Sequence, residues 1–208
     1  SEEEHSKIQF EAKSLRNDLT VTQRKLAESE ARGKVIGDRF GFLAQELRGI
    51  KARIETNHGD IEVEFYPEKA PIHVFNFVTR AESGFYDGTM FHRVIKGFMI
   101  QGGDPLSKDG NPGNDGSGGP IASIPHEFND IKHAKGILSM ARTGDKRAGA
   151  GSQFFIMHAA NPGLNGQYTV FGNVTDGLEV VDKIATTKTS GGDRPVKNAV
   201  IRTIEVFR

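Results

Sequence analysis

The sequence predicts a mainly β domain, a closed antiparallel barrel, preceded by an N-terminal helical arm. Three observations predict it. From residue 51 onward, short apolar segments recur between turns rich in Gly, Pro, Asn and Asp, the pattern of many short strands. Most of the 25 glycines lie in that part of the chain. Residues 1–50 contain no proline and are rich in Glu, Lys, Arg, Gln, Ala and Leu, which favours helix.

In residues 1–50, apolar positions step by 3, 4 or 7 residues: Ile8, Ala12, Leu15, Leu19, Leu26, Ile36, Phe40, Leu43, Leu47 and Ile50. They fit a heptad frame, with Thr22, Ser29 and Gly33 in core slots. Gly33, Gly37 and Gly41 each cost a helix about 1 kcal/mol against Ala. The expectation is a helix over 5–31, a weakened zone over 32–41 and a second helical piece to 49. The stripe suits burial on the chain's own domain or on a second copy, or an arm that captures another protein. The predicted division is 1–50 as a helical arm, a coiled coil or dimerisation segment, and 51–208 as the β domain.

Residues 53–65 read as two alternating strands around the turn Asn57-His58-Gly59-Asp60. Pro67 and Pro71 end the second, and Pro71 opens a helix over 71–82. Strands are expected at 90–95, 97–102, 136–141, 153–157, 168–174 and 198–207, with a helix at 177–184. Residues 105–120 have too few apolar side chains for an element and predict a long surface loop, a frequent site of function.

The 208 residues suit one domain with an appendage. Lys+Arg and Asp+Glu are both 27, so no strong grip on nucleic acid is expected. The absence of cysteine excludes thiol catalysis and disulfides. No apolar run approaches a membrane span. The start, Ser-Glu-Glu-Glu-His, lacks Met and a signal peptide's regions, so a processed or truncated chain is expected. The cytoplasm is favoured, and the cell envelope or periplasm stays open if a signal or anchor preceded Ser1.

The most informative stretch is Phe91-His-Arg-Val-Ile-Lys-Gly-Phe-Met-Ile-Gln-Gly-Gly-Asp104. Arg93 sits in an apolar, aromatic segment. On a continuous strand it would share a face with Ile95 and Gly97. A break at Gly97 lets it share a surface with Phe98, Met99 or Gln101. Taken alone, such an arginine is more often a surface or salt-bridged residue, and Phe98, Met99 and Phe155 are more often core. His92 suits a supporting, hydrogen-bonding role better than a general base. The remaining histidines lack metal-ligand spacing, and neither metal nor cofactor is expected. The carboxylates are dispersed rather than paired for hydrolysis.

Together with Gly136-Ile-Leu-Ser-Met-Ala141, Gly151-Ser-Gln-Phe-Phe-Ile156 and Leu164-Asn-Gly-Gln-Tyr-Thr-Val-Phe-Gly172, that stretch resembles the cyclophilins over 51–208. The resemblance implies an eight-stranded antiparallel barrel capped by two helices, with peptidyl-prolyl cis/trans isomerase activity on proline-containing polypeptides. It makes Arg93 the catalytic guanidinium. Phe98, Met99, Phe155 and Leu164 become the proline pocket, and Gln101 and Gln153 its polar neighbours. Ala141 then faces the residue before proline. Arg142 stands where most relatives carry Asn, and Tyr168 where many carry His. Gly163 stands where cyclosporin-sensitive members carry Trp, which implies weak cyclosporin binding. A competing expectation is a peptide-binding or chaperone module, with catalysis incidental and the arm directed at a partner.

Overall fold

A computed structural model describes residues 2–145 and 148–208, with side chains throughout except at 2–10, 12, 29, 30 and 32–38. Two compact units divide the chain, Ser1–Gly41 and Phe42–Arg208.

Helix α1 runs from Glu2 to Glu46 without interruption. The expected weakening over 32–41 is therefore corrected: the helix continues through Gly33, Gly37 and Gly41. Single glycines tax a helix by about 1 kcal/mol each, and here they are spaced among good helix formers. A Cβ added at Gly41 would meet no neighbouring atom among the described residues. Thr22, in a core slot, returns its hydroxyl to Asp18 O at 2.8 Å. Leu15, Leu19 and Leu26 are 69, 57 and 59 % exposed. The slots Ile8, Ala12, Ser29, Gly33 and Ile36 fall outside the described side chains. No helix among the described residues is long and apolar enough to cross a membrane.

The second unit opens with β1 (Lys51–Thr56) and β2 (Gly59–Phe65), paired in the expected hairpin with Thr56 opposite Gly59. Thr56 Oγ1 donates to Gly59 O at 2.6 Å and accepts from His58 N at 3.0 Å, closing the turn. Alternate residues Ala52, Ile54, Ile61 and Val63 are fully buried, as period 2 requires. Helix α2 (Pro71–Glu82) follows. Then come β3 (Arg93–Ile95), β4 (Met99–Gly102), β5 (Ile137–Arg142), β6 (Ala150–Met157) and β7 (Val170–Asp176). Helix α3 (Leu178–Ala185) and β8 (Ile201–Phe207) complete the unit. A Cβ at Gly177, φ 85°, would strike Asp60 O, so the entry to α3 needs glycine.

The eight strands form one antiparallel sheet in the order β3-β4-β6-β5-β7-β2-β1-β8. The expected closed barrel is instead a curled sheet whose edges, β3 and β8, share no ladder. Before β3 the chain meets β8 only briefly, through a Met90–Val200 bridge. Gly88 N to Ile201 O, Ile201 N to Thr89 O and Phe91 N to Ala199 O, each 2.8 Å, span the seam.

Strand β6 splits the apolar residues between two faces. Phe154 and Ile156 point to one, where Phe77 of α2 lies 5.2 Å from Phe154, 5.4 Å from Phe171 and 5.1 Å from Tyr86, centroid to centroid. Phe155 and Met157 point to the other, packing with Met99, Ile137 and Val170. This second cluster underlies the site.

Helix α2 lacks a cap of its own, since Ala70 precedes it. Glu127, distant in sequence, supplies one: its carboxylate accepts from Ile72 N at 3.1 Å and His73 N at 2.9 Å and pairs with His73 Nδ1 at 2.6 Å. A carboxylate at a helix N-terminus answers both free N–H groups and the macrodipole.

Candidate active site

The β3–β4 hairpin sets the geometry. Its register pairs Arg93 with Gln101 and Ile95 with Met99. Cross-strand partners share a face, so Arg93, Gln101 and Met99 project together, while Val94 and Ile100 point into the core. Gly97, φ 79°, makes the turn, and Phe98 N closes it on Ile95 O at 3.0 Å. Strand β6 places Phe155 opposite Gln101. Ala141 and Arg142 end β5, Leu164 ends the short 3-10 turn Pro162–Leu164, and Tyr168 precedes β7.

These residues surround one cleft of about 870 Å³. His92, Arg93, Phe98, Met99, Gln101, Ala141, Arg142, Phe155, Leu164 and Tyr168 all line it. Met99 and Phe155 are buried at its floor, with Phe98, Leu164, Ala141 and Tyr168 packed around them. Tyr168 meets Phe155 edge-on, centroids 5.6 Å apart. Gln153 is the exception among the expected residues. It lines an adjoining hollow of about 440 Å³, accepts from Gln101 Nε2 at 2.9 Å, and donates to Gly116 O at 2.9 Å and Gly118 O at 2.7 Å. It ties Gln101 to the long loop.

Two loops that the sequence reading left without residue roles complete the walls. The first, residues 105–120, carries only the 3-10 turn Pro105–Lys108 and contributes Pro112, Gly113, Asp115, Gly116 and Ser117. The second contributes Ser190, Gly191, Gly192 and Arg194. Arg194 Nε meets Asp115 Oδ2 at 2.6 Å and joins the two loops. Arg93 Nε lies 3.6 Å from Asp193 Oδ2, both side chains about half exposed. Asp193 has φ 62°, a left-handed conformation that Asp tolerates better than most residues. The signal for these walls was the turn-rich composition of both segments.

His92 is 5 % exposed. Burial lowers its pKa, and the carboxylates of Asp104 and Asp115 oppose that only partly. Burial also lowers the pKa of His133, whose ring stacks on Phe155 at 6.1 Å. Each group therefore binds a proton more readily unfolded than folded, so stability is full above the unfolded pKa, about 6.5, and is lost as pH falls below it. We expect the midpoint of urea unfolding to drop between about pH 7 and 5, and His92→Gln to flatten part of that drop. A midpoint unchanged over the range would contradict it.

A permanently charged fork of donors beside an apolar slot can hold an uncharged ring and polarise the atom next to it.

The sequence model of the cyclophilin type peptidyl-prolyl cis-trans isomerase/CLD family matches residues 51–206, and the chain belongs to that family. Peptidyl-prolyl cis-trans isomerase CYP18-1 of Arabidopsis thaliana is 46 % identical over 153 residues, 71 % of this chain and 89 % of that protein. A probable peptidyl-prolyl cis-trans isomerase A of Mycobacterium leprae is 41 % identical, over 77 % of this chain and 93 % of its own. The chain spans about a quarter of the length of some longer relatives, such as the peptidyl-prolyl cis-trans isomerase-like 2 of Cryptococcus neoformans, 43 % identical over 27 % of that protein. Among solved structures, a Cryptosporidium parvum cyclophilin type isomerase, crystallised in the presence of the dipeptide Ala-Pro, superposes with a TM-score of 0.70. It is 36 % identical and covers 76 % of this chain and 99 % of its own.

Proposed function

We propose that this protein is a peptidyl-prolyl cis/trans isomerase that accelerates rotation about X-Pro bonds in protein chains. The observation that carries this is the placement of Arg93 at the edge of an apolar pocket built from Phe98, Met99, Phe155 and Leu164 in one cleft. The family membership supports it, as does the relative crystallised with Ala-Pro.

The chemistry asks little else. Amide rotation faces a barrier of about 18–20 kcal/mol because the C–N bond is partly double. At the twisted transition state the prolyl nitrogen regains its lone pair. The Arg93 guanidinium donates to it there and to nothing comparable in the planar ground state, which is the differential binding that catalysis needs. The apolar pocket grips the pyrrolidine ring while the preceding carbonyl turns. Gln101, fixed by Gln153, and Ala141 hold the peptide backbone. His92 is buried in the wall of the same cleft. Lowering the barrier by about 7 kcal/mol corresponds to roughly 10⁵-fold. Gly163, on the exposed turn beside Leu164, offers no indole to cyclosporin, so that drug binds weakly.

The test is isomerisation of a proline peptide by the wild type and by Arg93→Ala. Catalysis that disappears with the guanidinium supports the reading. Equal rates for both proteins overturn it.

The exposed Leu15, Leu19 and Leu26 of α1 favour a further role for the arm, pairing with a second copy. Glu11 and Arg16 occupy g and e positions of the heptad frame, where opposite charges meet across a parallel pair. The full chain is expected to sediment as a dimer and the Leu19→Glu, Leu26→Glu double variant as a monomer. A monomeric wild type refutes the pairing.

A further inference from the structure

We propose that Arg142 makes the cleft selective for an acidic side chain in the residue before the proline. This rests on the isomerase reading above and adds the substrate class that the site prefers.

The argument begins with the charges in the cleft. Arg194 is neutralised by Asp115 at 2.6 Å, with the Asp115 carboxylate nearly buried. Arg93 faces Asp193 at 3.6 Å. Arg142 lines the same cleft, and among the described residues no carboxylate pairs with it. Among the described residues that line the cleft, Arg142 is thus the arginine without a carboxylate partner.

That cation is also held still. Arg142 Nε donates to Gln167 O at 2.9 Å and Nη1 donates to Thr143 O at 2.8 Å. The guanidinium carbon lies 4.5 Å from the centroid of Tyr168, a cation–π contact that holds the plane against the ring. Two hydrogen bonds and the contact with the Tyr168 ring restrict a side chain that ordinarily has several rotamers. Five N–H donors are present, and the protein's own carbonyls take two, so donors remain for a ligand. A fixed guanidinium with free donors matches the two oxygens of a carboxylate, and little further ordering entropy is lost when one binds.

Position supplies the rest. Arg142 follows Ala141 on β5, and both line the main cleft and the adjoining hollow. A peptide whose proline fills the Phe98–Phe155 pocket and whose backbone continues past Ala141 brings the side chain of its preceding residue to Arg142. A lysine there meets a like charge, and a glutamate finds the unmatched one.

The experiment measures kcat/KM for three peptides, Ala-Glu-Pro-Phe, Ala-Gln-Pro-Phe and Ala-Lys-Pro-Phe, with wild type and Arg142→Gln. For wild type the Glu peptide is expected to exceed the Lys peptide by about tenfold at low salt, narrowing as salt screens the pair. Arg142→Gln is expected to bring the ratio near one. The ratio is insensitive to the fraction of folded variant, so partial misfolding does not obscure it. A flat wild-type ratio overturns the proposal while leaving the isomerase reading intact. So does an unchanged ratio in Arg142→Gln with all three rates lowered, which is what a merely structural arginine would give. No catalysis on any peptide removes the isomerase reading, and this proposal with it.

Discussion

Arg93→Ala is expected to lower kcat/KM for X-Pro isomerisation by about 10²–10³-fold, the usual cost of removing one pre-aimed donor at a developing charge. The loss should fall on kcat, because the guanidinium serves the twisted amide and the apolar pocket holds the proline ring. Stability should barely change. Arg93 has a half-exposed side chain whose only ion pair, among the described residues, is the 3.6 Å contact with Asp193, and exposed pairs contribute roughly 0–1 kcal/mol. Arg93→Lys should recover little, since an ammonium on a flexible stem does not place a donor where the planar fork does. Peptide isomerisation kinetics beside urea unfolding separates the two effects. A variant that keeps wild-type kcat, or one that loses activity only because it unfolds, contradicts the assignment.

Asp104→Ala is expected to cost about 3 kcal/mol of stability, and to raise KM through the loop it holds. The Asp104 side chain is fully buried. Its carboxylate accepts from Leu106 N at 2.8 Å, from Gly118 N at 3.2 Å and, in a short contact, from Gly116 N. One side chain thus folds both ends of the 105–120 loop onto the sheet. Its removal leaves three backbone donors without their acceptor, at roughly 1–3 kcal/mol for each that water does not reach. A Cβ at Gly118 would collide with the Asp104 carboxylate, so the loop needs glycine where it crosses that group. Because Asp115, Gly116 and Ser117 line the cleft, loosening the loop should weaken peptide binding more than it slows the chemical step. Chemical unfolding and steady-state kinetics check both parts. A variant of wild-type stability and KM would show that the loop is held by other means.

Much of this architecture is written in local pattern. The β1–β2 hairpin follows from alternation around Asn57 and Gly59, and α2 from Pro71 and its periodic apolar residues. Ten of the eleven expected site residues line one cleft, because strand register fixes Arg93, Met99, Gln101 and Phe155 against one another and short turns place the rest beside them. What was not legible depended on distant partners. Glu127 caps α2 from over 50 residues away, and no local signal marks it. Asp115, Asp193 and Arg194 sit in turn-rich loops whose composition predicts irregular structure without saying which way a side chain points. The arm misled for a different reason. Glycine propensity is a small per-residue cost, and in α1 it is outweighed by the helix formers around it. Full closure of the barrel was the other overreach, because strand count does not reveal whether the two edge strands, β3 and β8, pair with each other.

The most direct measurement is exchange NMR on a single Ala-Pro-containing peptide with a catalytic amount of the wild-type protein. Cross-peaks linking the cis and trans proline resonances, at rates far above the uncatalysed interconversion of roughly 10–100 s, are the predicted result. Line broadening that reports binding, with no cis–trans exchange, would contradict the central claim and identify the cleft as a peptide holder.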